Sequence, residues 1–97
     1  MSKEERDEEF WAMTDEFIQL ANSQCDKHKN GKVSTSLLFS AARFNAFMFA
    51  STTKNIDELA KDKELAIEYF TNEYKKALTD NLNDYEKNYK DYVNNKK

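Results

Sequence analysis

Cys25 and His28 stand three residues apart, a spacing that places a thiol and an imidazole on one side of a helix. Such a pair suits two ligands of one metal ion, or a nucleophile and its base. A zinc site needs three or four ligands, and the chain holds one cysteine and one histidine in all. No particular Asp or Glu is marked to complete the set, and no third group is marked to orient a catalytic dyad. The plainer reading is a half-buried thiol and a histidine at the negative end of a helix dipole. Accordingly no catalytic residue, metal or cofactor is expected. The carboxylates scatter over solvated helix faces, and one glycine excludes a phosphate-binding glycine-rich loop.

Arg43 and Asn45 form the second constellation. Asn45 is expected to face the neighbouring helices, where an unpaired amide costs roughly 1–3 kcal/mol. It should therefore bond a backbone carbonyl or a side chain such as Thr14, Gln24 or Tyr74. Arg43 falls on a narrow stripe with Ser36, Ser40 and Phe47. There it either reaches solvent along its stem or pairs with a carboxylate of the first or third helix. The candidate interaction or ligand site is thus Ser36, Ser40, Arg43, Asn45 and Phe47. One use of these polar groups is to fix helix register and order, the commoner role of buried polar residues. The other is a small polar site for an anionic ligand.

These residues sit in the most apolar stretch of the chain. Residues 37–50, LLFSAARFNAFMFA, contain only Ser40, Arg43 and Asn45 as polar positions. The run is too short and interrupted to cross a bilayer, which takes roughly 20 apolar residues. On a helical wheel its apolar surface covers most of the circumference, which predicts a helix buried by the flanking segments or by a second copy.

The spacing of apolar residues predicts an all-α three-helix bundle, with helices over about 3–29, 34–52 and 56–80. Phe10, Met13, Thr14, Phe17, Ala21 and Cys25 share a face of the first helix. Early carboxylates and late Lys27, His28 and Lys29 complement its dipole. Asn30-Gly31 is expected to stop it in a left-handed cap, and Ser34 or Thr35 to cap the second helix. Asn55 and Glu58 have capping-box spacing at the start of the third. Residues 79–84, TDNLND, compete for backbone hydrogen bonds, so a break is expected there before a short helical extension over about 83–93.

Ninety-seven residues make one domain, taken as 1–93 with a frayed tail at 94–97. Charged residues make up 34% and mean hydropathy is −0.95, yet 13% aromatics at helical spacings argue for a folded chain. Absence of proline and a single glycine suit long helices with short connections. The lone cysteine and the acidic N-terminal segment without an apolar core predict a cytoplasmic protein. A net charge of −3 with interspersed signs gives no basic face, so neither nucleic acid nor membrane is an expected partner.

Two segments carry a family likeness. Phe10-Trp11 leads into Asp15-Glu16-Phe17-Ile18-Gln19-Leu20-Ala21-Asn22, and Gly31-Lys32-Val33-Ser34 leads into Ala41-Ala42-Arg43-Phe44-Asn45-Ala46-Phe47. From about Phe10 to Tyr85 the chain resembles a family of small all-helical proteobacterial proteins grouped as a domain of unknown function. The resemblance implies a bacterial cytosolic protein and carries over no catalytic residue, cofactor or substrate.

Two neighbouring helices do not easily cover every side of a third, and Leu65 and Tyr69 also project away from the main stripe of the third helix. The surplus apolar surface predicts a protein contact, with a homodimer expected over a monomer. Tyr85, Tyr89 and Tyr92 offer a competing cover for it. The expected function is a non-enzymatic helical interaction module that self-associates. The alternative is a small-molecule or anion binder centred on Arg43.

Overall fold

Asp7 opens the first helix. Its backbone is extended (φ −86°, ψ −170°), and its carboxylate accepts from the Phe10 amide at 3.0 Å, satisfying one of the four amides a helix start leaves without a partner. Glu8 and Glu9 follow in the first turn, at the positive end of the dipole. In the computed structural model, which describes residues 5–94, this helix is α1, Glu8–Cys25. It is followed by α2, Asn30–Ser51, and α3, Ile56–Lys87, with a π-helical turn at Lys90–Asn94. The expected all-α class with three main helices is observed, with no strand among the described residues. The chain divides into two compact units, Met1–Thr53 and Lys54–Lys97.

In the first unit α1 and α2 contact each other across the short connection 26–29, an αα-hairpin. The expected stop at Asn30-Gly31 is corrected. α1 ends at Asp26 in right-handed geometry, tightened by bonds from the Asp26 amide to Ser23 O and from the Lys27 and His28 amides to Gln24 O. No described residue has positive φ, so the glycine's left-handed freedom is not used. Extended Lys29 (φ −64°, ψ 140°) makes the break instead, and its carbonyl accepts from the Val33 amide to begin α2. Lys27, His28 and Lys29 therefore lie in the connection, while Ser34 and Thr35 lie inside α2. Starting α2 four residues early gains a turn of backbone hydrogen bonds and places Val33 in the hairpin.

Val33, 9% exposed, is the one buried residue among those described, with Ala21, Gln24 and Cys25 half-buried. The central apolar helix is therefore not enclosed as expected. Phe39 is 70% exposed, and Phe44 and Phe47 63%. Within this unit α2 has one neighbouring helix, which covers one side of a rod that is apolar nearly all round. At its far end the hydroxyls of Ser51, Thr52 and Thr53 donate to the carbonyls of Phe47, Phe49 and Ala50 at 2.7–2.8 Å, and the Thr52 and Thr53 amides also donate to Phe49 O and Ala50 O.

In the second unit the Asn55 side chain accepts from the Glu58 amide at 2.9 Å, as capping-box spacing predicts. Glu58 reaches back one residue further than usual and accepts from the Lys54 amide at 2.8 Å. The break expected within 79–84 is corrected, because α3 continues to Lys87. Asn81 donates to the Ala77 carbonyl one turn earlier at 2.8 Å, a bond the helix accommodates. The break falls at Asn88 (φ −115°, ψ 32°), whose amide side chain bonds Asp84 Oδ1 at 2.8 Å. The expected short helical extension follows as the π-helical turn Lys90–Asn94, starting later than the expected 83 because α3 takes up 83–87. Of the expected frayed tail, 95–97 lie outside the described residues, as do 1–4 of the domain and the expected helix start at Lys3.

Candidate functional site

Arg43 lies in the middle of α2, where helical geometry places residues four before, three before, one after and four after it around its base. Those residues are Phe39, Ser40, Phe44 and Phe47, and with Arg43 they line an open hollow. Its walls come from a single helix, so the hollow is a shallow seat between rings and does not enclose a small molecule as a binding cleft does. Arg43 is exposed and has neither a hydrogen bond nor an ion pair among the described residues. The sequence allowed it a carboxylate on the first or third helix; here it reaches solvent.

Of the five residues singled out from sequence, the structure brings Ser40, Arg43 and Phe47 together. Ser36 is exposed a turn beyond the hollow. Asn45 lies on another side of α2 and is corrected: it is only half-buried, makes no hydrogen bond among the described residues, and so needs no protein partner for its amide. Phe39 and Phe44 belong to the site and were expected in the core. Their offsets from Arg43 signal this; the assumption that an all-round apolar helix is enclosed concealed it.

A second feature is the charge contrast between the two helices of this unit. α1 carries Glu8, Glu9, Asp15 and Glu16 with no basic residue, whereas α2 carries Lys32 and Arg43 with no acidic one. On α1, Met13, Phe17 and Leu20 are 55%, 64% and 60% exposed. Glu16 stands among them, three residues after Met13 and four before Leu20.

In the second unit Leu65 and Tyr69 are exposed, as their positions off the main stripe predict. At its C-terminal end the rings of Tyr85 and Tyr92 lie 4.6 Å apart. The Tyr92 hydroxyl donates to the Asp84 carboxylate, and this bond raises its pKa above the ordinary tyrosine value.

Cys25 is free and half-buried and His28 is exposed. Among the described residues no three His, Cys, Asp or Glu side chains are grouped to hold a metal ion. No helix of the described residues is long and apolar enough to cross a membrane. Residues 10–86 match the family described as Protein of unknown function (DUF3144). The chain belongs to that family. The match covers the whole of α2, including every residue of the Arg43 hollow, and bears out the expected membership of a family grouped as a domain of unknown function. No curated protein and no solved structure matches the chain.

Proposed function

We propose that this protein is a non-enzymatic helical interaction module, which docks a protein partner against the face of α2 around Arg43 and self-associates there. The observation that carries the reading is the exposure of Phe39, Phe44 and Phe47 on one side of a single helix. Apolar side chains gathered on a small protein commonly mark a contact with another chain, and aromatic residues and arginine are the types enriched where such contacts hold most strongly. The hollow between the rings is the complement of a side chain projecting from a partner helix. A lone cysteine fits a reducing compartment such as the cytoplasm.

The test is retrieval of a partner on the immobilised full chain, using native cell extract to which untagged copies of the chain are added. Phe47→Ala and Arg43→Ala serve as controls, each checked by circular dichroism for helical content. Retention that falls in both folded variants supports the reading. Retention unchanged by either variant, or no retention at all, overturns it.

A second reading is an anion site at Arg43, supported by a guanidinium without a protein partner beside the Ser40 hydroxyl. Calorimetric titration with inorganic phosphate tests it, and heat that Arg43→Ala leaves unchanged counts against it.

A further inference from the structure

Resting on the interaction reading above, we infer that the occupant of the Arg43 face is α1 of a second copy of this chain, with Glu16 of the partner copy meeting Arg43. The two faces are built on one plan with opposite signs. On α2, Phe39, Arg43 and Phe47 succeed one another at four-residue intervals, with Phe44 alongside. On α1, Met13, Glu16 and Leu20 succeed one another at intervals of three and four, with Phe17 alongside. Each is a strip of exposed apolar side chains around one central charge.

Between the two helices of this unit, charge decides the occupant. Burying a lone guanidinium against an apolar surface is costly, so whatever covers Phe39, Phe44 and Phe47 must bring a carboxylate to Arg43. α2 of another copy brings only Lys32 and a second Arg43, and no acid. α1 brings four acids and no base. The hairpin itself does not use this complementarity, since neither Arg43 nor Glu16 has a hydrogen bond or ion pair among the described residues. Symmetry then doubles the contact: in a two-fold dimer each copy offers one α1 face and one α2 face, so the same pairing forms twice.

Sedimentation velocity at micromolar concentration tests this with four full-length proteins: the wild type, Arg43→Glu, Glu16→Arg and the double variant carrying both reversals. All altered positions are exposed, and circular dichroism confirms that each protein keeps its helical content. The wild type is expected to sediment as a dimer. Each single reversal should weaken association about tenfold or more, and the double variant should recover it. A wild-type dimer that ignores both reversals, or single losses that the double variant does not recover, overturns the α1–α2 pairing while leaving the α2 face as a docking surface. A wild type that sediments as a monomer also overturns the inference. In that case an acidic amphipathic helix from another protein is the remaining occupant, and the retrieval experiment decides whether the wider reading stands.

Discussion

Arg43 holds a permanent charge on a face where four of the five lining side chains are itself and three phenylalanines. In water that charge is solvated and costs nothing; once another chain excludes water, it requires an acid. Ser40, Arg43 and Phe47 were legible together because helical offsets alone place them on one stripe, whereas Phe39 and Phe44 were assigned to the core. The fate of Asn45 was not, because its need for a partner depended on a burial that the structure does not provide. At the other end of the chain the Tyr92 hydroxyl donates to Asp84, which holds the phenol in its neutral form. A raised folded-state pKa stabilises the fold below the ordinary tyrosine pKa of about 10, and this contribution is lost as pH rises through the folded value. Tyrosinate absorbance should therefore show one of the five tyrosines ionising later than in Asp84→Asn, in which the pairing with a charged carboxylate is gone. Superimposable titrations of the two proteins would count against that bond.

The helices were legible as elements from apolar spacing, and the Asn55 cap from its relation to Glu58. Their ends were harder to place. Asn-Gly signals a left-handed stop, but a helix that begins at Asn30 gains backbone bonds and places Val33 in the hairpin, and Lys29 accomplishes the turn without positive φ. Likewise the polar residues 79–84 stay helical, and Asn81 bonds back to the Ala77 carbonyl within the helix. The hairpin boundary has a direct check in Gly31→Ala. A left-handed cap would make this substitution destabilising. In the first turn of α2 an added Cβ meets no atom within 4 Å, so the exchange should stabilise the protein by about 0.5 kcal/mol through the unfolded state. Urea denaturation reads the difference, and a loss of stability would return Gly31 to the cap.

At the scale of the whole molecule, the described residues include one that is buried, Val33, and a row of exposed rings, so much apolar surface stays open to solvent. The sequence showed that such surface existed, since residues 37–50 contain only three polar positions. It did not show where the surface would remain open, because apolar periodicity is the same whether a face meets its own chain or another. If association does cover α2, stability and concentration are linked, since a contact made only by folded copies favours folding. The most direct test of that claim is molar mass by light scattering over a dilution series in the micromolar range, with Phe44→Asp measured beside the wild type. The wild type is expected to show the mass of two chains, falling toward one on dilution, and a helical Phe44→Asp the mass of one chain throughout. A wild type with the mass of one chain at every concentration, indistinguishable from Phe44→Asp, would contradict it.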